Sequence, residues 1–175
     1  GIAPKHGIFR GNSSVVSLAK ADADQSQARP PVYKPGVYQS VAFDLAREDV
    51  LGEGRWPAYP NSQMGAIAMI RQTLLDARYE DQLLAGAASV PGGAGARRTA
   101  AMAPLANLGG GEAGKSRPVL LFNTDNELDA IRAMKIAPEF SADFAILGSG
   151  LEFRRLDAIK ARFGQPIGGS KVGGP

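Results

Sequence analysis

The chain has 175 residues, a formal net charge of +3, no cysteine and one histidine, His6, a composition typical of one globular domain or a piece of a larger one. Without cysteine there is no disulfide, thiolate metal site or cysteine nucleophile, and one histidine excludes zinc sites that need two imidazoles. The basic residues are dispersed and no apolar stretch approaches the ~20 residues of a membrane span, so we expect neither nucleic acid nor a membrane span.

Residues 1–84 are predicted to form two strands and a helix. A glycine-rich start leads into an apolar run at residues 15–18, which indicates the first strand. Residues 20–36 are polar and contain three prolines, so they predict a loop. Alternating apolar residues within positions 37–45 predict the second strand.

A long helix is predicted over residues 62–84, after a turn that is rich in glycine and proline. Asn61 or Ser62 is the expected N-cap, because short polar side chains accept hydrogen bonds from the free N–H groups of a first helical turn. The helical spacing of the apolar residues predicts one broad face that packs on the core, formed by Met64, Ile67, Ala68, Ile70, Leu74 and Leu75.

Residues 85–117 are rich in alanine and glycine and predict a loop between two parts of the chain. Within it, the stretch from Gly109 to Ser116 matches the phosphate-loop pattern G-x-x-x-x-G-K-S. That pattern binds phosphate where a strand enters the loop and a helix leaves it. Residues 103–107 are a poor strand and Pro118 leads into a strand, so nucleotide binding is a minor alternative.

Residues 118–167 are predicted to alternate strands and helices. The continuous apolar run at residues 119–122 indicates a strand buried on both faces of a parallel sheet, and residues 144–147 indicate a second apolar strand. A third strand is expected to begin at residues 166–167, and residues 168–175 are expected to form a flexible tail. This β-α-β-α-β order predicts an α/β fold with parallel pairing.

Two capping boxes mark the starts of the intervening helices. The first, residues 124–127, begins with Thr124, and the second, residues 149–152, begins with Ser149. Pro138 is expected to end or kink the first of these helices near its last turn.

Four stretches carry motifs that are similar to one family. Residues 117–128 read Arg-Pro-Val-Leu-Leu-Phe-Asn-Thr-Asp-Asn-Glu-Leu, and residues 144–153 read Phe-Ala-Ile-Leu-Gly-Ser-Gly-Leu-Glu-Phe. The first stretch resembles the fifth strand of amidohydrolase-superfamily barrels and the helix after it, and the second resembles their sixth strand and its loop. The branch that they resemble most is the imidazolonepropionase-like one. Residues 59–77 and 7–11 are similar to a helix and to a starting segment of the same family, so the resemblance covers residues 7–167.

The resemblance implies part of a (β/α)8 barrel, incomplete in this chain, from a class that hydrolyses amide and other C–N bonds with a divalent metal such as zinc. Family members hold that metal with histidines at strand ends. The corresponding positions here are Asn123 and Gly148, an amide that is a weak zinc ligand and a residue with no side chain. We therefore expect no cofactor and no activity of this chain alone, and whether it is an enzyme stays open.

The resemblance also places a candidate binding site at the carboxyl ends of two strands, formed by Asn123, Thr124, Gly148 and Ser149. No catalytic residue and no metal ligand is assigned. Helix capping alone explains Thr124 and Ser149, and this structural role is the preferred interpretation.

A segment of a barrel leaves strand edges and apolar helix faces uncovered. We therefore expect self-association or packing against the rest of a parent protein. The alternative function is a non-catalytic scaffold or interaction module that supports an active hydrolase domain. We expect a soluble chain, and the sequence leaves open whether it is cytoplasmic or exported.

Overall fold

The computed structural model describes residues 7–16, 32–45, 59–88, 97–108 and 117–163, which form one four-stranded sheet and three α-helices. The predicted α/β class is therefore confirmed. Two short 3-10 helices, Ala103–Leu105 and Glu152–Arg155, complete the described elements. In chain order the elements are β1 (Phe9–Val16), β2 (Val32–Ala42), α1 (Gln63–Ala88), β3 (Val119–Asn123), α2 (Glu127–Glu139), β4 (Asp143–Leu147) and α3 (Leu156–Phe163).

The sheet has the order β1-β2-β3-β4 and is mostly parallel. β3 pairs in parallel with β4, as the β-α-β pattern of residues 118–167 predicts. On its other side β3 pairs in parallel with β2, a pairing that the sequence did not predict. The register places Ala42, Asn123 and Leu147 side by side, so these three strands have their carboxyl ends at one edge of the sheet. β1 pairs antiparallel with β2, and its amino-terminal end therefore lies at that same edge.

The first two strands differ from their predicted bounds. The first begins earlier than residues 15–18, at Phe9. The predicted loop is wrong for residues 32–36, because β2 begins at Val32, which pairs with Val16. β3 pairs with β2 only from Tyr38 onward, so the earlier part of β2 has β1 as its neighbour. A strand with a neighbour on one side accommodates proline, and this explains how residue 35 fits in a strand.

α1 begins where the sequence predicts and ends later, and its predicted core face is wrong for Met64, Ala68 and Leu75, which are exposed. The N–H of Gly65 donates to Oγ of Ser62 over 3.2 Å, so Ser62 is the cap. The helix continues to Ala88, four residues past the predicted end. Three of the four added residues are alanine, the strongest helix former. The sequence predicts a loop for these four residues because they belong to a stretch rich in alanine and glycine.

Part of the predicted loop over residues 85–117 is held against α1. Arg98 makes an ion pair with Asp81, and its Nη1 lies 3.8 Å from Oε2 of Glu80. The backbone N–H of Asn107 donates to Oδ1 of Asp81 over 3.2 Å. Residues 97–108 therefore contribute to the folded unit, and Leu105 and Leu108 join its core.

The three helices pack on one face of the sheet. The register aligns Leu120 with Phe144 and Phe122 with Ile146, so these side chains share that face. Leu120 and Phe122 are fully buried, whereas Leu121 between them is only half-buried, so the prediction that β3 is buried on both faces is wrong. The principal helix residues in the core are Ile70 and Leu74 of α1, Ala133, Ile136 and Ala137 of α2, and Ile159 of α3.

Several predictions fall outside the described residues. They concern His6, the glycine-rich motif over residues 109–116, the third strand at residues 166–167 and the tail over residues 168–175. Among the helices that the structure does describe, none combines the length and apolar character needed to cross a membrane.

Candidate functional site

The four predicted site residues lie at the edge of the sheet where β2, β3 and β4 end. Asn123 is the last residue of β3 and Thr124 follows it. Gly148 and Ser149 follow the last residue of β4. Because Asn123 is in register with Leu147, the two pairs occupy neighbouring strand ends, as the parallel pairing predicts.

The side chain of Asn123 is hydrogen bonded within the protein. Its Nδ2 donates to Oγ of Ser40 over 2.7 Å and to the carbonyl oxygen of Val41 over 3.4 Å. Ser40 is fully buried. The amide nitrogen therefore links the ends of β2 and β3.

Thr124 extends the β3–β4 pairing and does not cap the helix. Its backbone N–H and its Oγ1 both donate to the carbonyl oxygen of Leu147, each over 3.1 Å. The N-cap of α2 is Asn126, whose side chain accepts from the N–H groups of Leu128 and Asp129. The predicted cap at Thr124 is therefore wrong, because residue 124 still belongs to the strand pairing and the helix starts only after it.

Ser149 and Glu152 form only half of the predicted capping box, because Oγ of Ser149 accepts from Leu151 and not from Glu152. The N-cap of the turn that follows is Leu151, without a side-chain bond, so the predicted cap at Ser149 is wrong. The N–H of Ser149 donates to Oε1 of Glu152 over 2.6 Å, and the N–H of Leu151 donates to Oγ of Ser149 over 3.2 Å. The turn that follows is a 3-10 helix, and α3 begins at Leu156. The pKa of the Glu152 carboxyl lies below its usual range. The main cause of this lower pKa is a hydrogen bond from its own backbone N–H, and the N–H groups of Ser149 and Gly150 add to it, whereas desolvation acts in the opposite direction.

Gly148 lies against this carboxylate. A Cβ atom on residue 148 would lie 2.8 Å from Oε1 of Glu152, closer than nonbonded atoms approach. The absence of a side chain at this position therefore lets the carboxylate fold back onto the turn. Gly148 has a steric role in the site and offers no group to a ligand.

An ion pair that the sequence did not indicate lies at the same edge. Nη2 of Arg10 is 2.8 Å from Oδ2 of Asp44, and the N–H of Gly7 donates to that oxygen over 3.2 Å. Both charged side chains are partly buried. The pair forms because β1 pairs antiparallel with β2. This pairing was not predicted from the sequence, and it is the signal that could have brought the two residues together.

The residues at this edge do not fit a zinc ion. The only ligand atom of the Asn123 side chain is its amide oxygen, which binds zinc weakly, and Gly148 has no side-chain ligand atom. The two carboxylates, Asp44 and Glu152, accept hydrogen bonds from protein groups. In the described portion of the chain, no group of three or more histidine, cysteine, aspartate or glutamate side chains is placed to hold a metal ion.

The residues that flank the glycine-rich motif do not provide the setting of a phosphate loop. Before it lies the 3-10 helix Ala103–Leu105, where a strand is needed, and after it lies β3, where a helix is needed.

Comparison of the chain with protein-family models, with curated proteins and with solved structures finds no match.

Proposed function

We propose that the chain is a segment of an amidohydrolase-like (β/α)8 barrel, from a class that hydrolyses amide and other C–N bonds with bound metal, and that this segment does not hold the metal. The observation that supports the proposal is the layering of the described elements. All three helices contribute side chains to the core on one face of three parallel strands. On the opposite face of the sheet, near the carboxyl ends of β2 and β3, the polar side chains of Ser40 and Asn123 are hydrogen bonded to each other.

One-sided layering favours a barrel over a doubly wound sheet. In a doubly wound sheet the helices cover both faces, whereas in a (β/α)8 barrel they lie outside and the other face of the strands lines the interior. Within the residues that the structure describes, no helix covers the other face, which includes Leu121, half-buried, and Leu147, 58% exposed. In the proposed barrel, the remaining strands cover Leu147.

β1 departs from the barrel pattern, because all strands of such a barrel are parallel. In the proposal, β1 is an added strand beside β2, and the barrel strands are β2, β3 and β4. The ion pair of Arg10 with Asp44 then belongs to this addition.

In the resembled family the bound metal activates water for attack on the substrate. The chain's own residues at the corresponding strand ends have structural roles instead. Asn123 links two strands, and Gly148 gives space to the carboxylate of Glu152. These roles support the part of the proposal that assigns no hydrolysis to the isolated segment.

Metal content and amide turnover of the purified chain test this part. We expect far less than one ion per chain after incubation with zinc, manganese or iron and dialysis, and no hydrolysis of cyclic or linear amides. A stoichiometric ion together with amide turnover contradicts it. Adding the same ions to a double variant that replaces both acids of the edge, Asp44→Asn with Glu152→Gln, shows whether any residual binding comes from these carboxylates.

A supporting role without catalysis is the second candidate, favoured by exposed apolar side chains near β4. Leu147, Phe153 and Leu156 are 58%, 69% and 45% exposed. Within the described residues, β4 has a strand neighbour on one side only. An uncovered strand edge beside apolar side chains is typical of a surface that another unit covers.

The coding sequence on both sides of this segment discriminates between the two candidates. Metal-ligating histidines in strands that continue this barrel favour one divided enzyme. A separate downstream barrel with its own complete ligand set favours the supporting role. Adjoining sequence with neither further strand–helix units nor such a barrel contradicts both.

A further inference from the structure

α1 carries a second apolar stripe on the side opposite the core. Its inward side chains are fully buried: Ala66, Ile70, Leu74 and Ala77. Four large apolar side chains elsewhere on the same helix are exposed, namely Met64 at 82%, Leu75 at 51%, Tyr79 at 61% and Leu83 at 51%. Isolated exposed apolar residues are common on protein surfaces, whereas four along one helix are a pattern.

The exposed residues lie on one side of the helix. At 3.6 residues per turn they fall within an arc of about 100°, which also contains the exposed Gln72 and Gln82, and the buried residues fall within about 80° on the other side. From Met64 to Leu83 the helix rises about 28 Å. We call the set Met64, Leu75, Tyr79 and Leu83 the outer stripe.

The two sides of the outer stripe have opposite charge. At helical spacing, Arg71 and Arg78 follow one side, and Asp76 and Glu80 follow the other. Arg71 is paired with Glu139 and Glu80 with Arg98, so the difference in charge between the two sides rests on Arg78 and Asp76. Arg78 and Asp76 are both exposed.

We propose that the outer stripe binds the outer stripe of a second copy of this chain, with the two α1 helices parallel. An apolar stripe of this length with charged margins is the geometry of a two-helix interface. A two-fold axis parallel to the helices brings the basic side of one copy against the acidic side of the other. An antiparallel arrangement brings like charges together along both margins, which opposes that pairing. The interface does not depend on the proposed barrel.

The absence of cysteine from the chain makes the orientation directly measurable. Single cysteines are introduced near the two ends of the stripe, Met64→Cys and Leu83→Cys, with Ala158→Cys on exposed α3 as the matched control. In the parallel dimer each residue of the stripe meets its own counterpart. We expect both stripe variants to form disulfide dimers on mild oxidation, far faster than the control.

Cross-linking that occurs only when the two stripe variants are mixed indicates an antiparallel pair and overturns the proposal. Equal rates for the stripe variants and the control overturn it as well.

Sedimentation equilibrium gives an independent test. We expect the unmodified chain to dimerise, and Leu75→Arg to raise the dimer Kd by about tenfold or more, because it places a charge in the stripe. Leu128→Arg, at an exposed apolar position on α2, is the control and leaves the dimer unchanged. An unmodified chain that stays monomeric up to its solubility limit overturns the proposal. Circular dichroism verifies that both variants retain the fold.

Discussion

The carboxylate of Glu152 occupies the space that a side chain on Gly148 would need. The distance from a Cβ built on Gly148 to Oε1 of Glu152 is 2.8 Å, and the same oxygen accepts from the N–H of Ser149 over 2.6 Å. The turn after β4 therefore depends on a small residue before it and an acid within it.

Substituting Gly148→Ala is expected to raise the pKa of Glu152 toward its ordinary value. The added methyl group displaces the carboxylate from the backbone N–H groups, which are the groups that lower this pKa. A titration followed by NMR of the Glu152 side chain measures the change.

Gly86→Ala is the matched control for that titration, because nothing lies within 4 Å of a Cβ built on Gly86. We expect it to leave the pKa of Glu152 unchanged. An unchanged value in Gly148→Ala contradicts the role assigned to Gly148.

The ion pair between Arg71 and Glu139 predicts a pH-dependent contribution to stability. Nε and Nη2 of Arg71 donate to the two carboxylate oxygens of Glu139 over 2.8 and 2.6 Å. The hydrogen bonds from Arg71 lower the pKa of Glu139. A lowered folded-state pKa means that the contribution is complete above the pKa of an unfolded glutamate, about 4.3, and is lost as the pH falls through the folded value.

A double-mutant cycle of Arg71→Gln with Glu139→Gln measures this pair. Both side chains are 42% exposed, so we expect a coupling of only about 0.5–1 kcal/mol at neutral pH. The coupling disappears once Glu139 is protonated in acid. Lys135→Gln, an exposed change on the same helix as Glu139, serves as the control, and a coupling that does not vary with pH argues against the pair.

The centre of the core is expected to be most sensitive at Phe122. Its side chain is fully buried, and its ring stacks with that of Phe43 at 6.0 Å between centroids. Phe122→Ala is expected to lower the free energy of unfolding by about 3–5 kcal/mol, since it leaves a cavity. Leu128→Ala, at a position that is 45% exposed, is expected to cost less than about 1 kcal/mol. Urea unfolding compares the two, and equal losses contradict the described core.

Asp129 joins the amino-terminal ends of α1 and α2. Its carboxylate is buried and accepts from Nε2 of Gln63 over 3.1 Å, from Nδ2 of Asn126 over 2.9 Å and from Nη1 of Arg132 over 2.6 Å. Asp129→Ala leaves these donors without their acceptor and is expected to cost about 1–3 kcal/mol of unfolding free energy.

The link between the helices is tested by combining Asp129→Ala with Gln63→Ala. Because the two residues share one hydrogen bond, we expect the double variant to lose less than the sum of the single losses. Gln72→Ala, which removes an exposed hydrogen bond within α1, is the control and adds to Asp129→Ala without coupling. Strict additivity for Gln63→Ala contradicts the link.

Local elements of the chain could be predicted wherever their signals are short-range. The apolar runs predicted β3 and β4, and the polar residues before a helical pattern predicted a cap at Asn61 or Ser62, of which Ser62 is the cap. The cap of α2 was placed two residues too early. Thr124 and Asn126 are both good caps, and only the pairing of residue 124 with Leu147 decides between them.

Hydrophobic periodicity and the order of elements were enough to predict the α/β class and the parallel order of β3 and β4, whereas the candidate residues at their ends came from the family resemblance. The tertiary structure alone decided which face of the sheet the helices cover and what the strand-end residues contact. The bond of Asn123 to Ser40 joins residues 83 positions apart. No local pattern encodes such a contact, because it forms only when the pairing of β2 with β3 brings the two strand ends together.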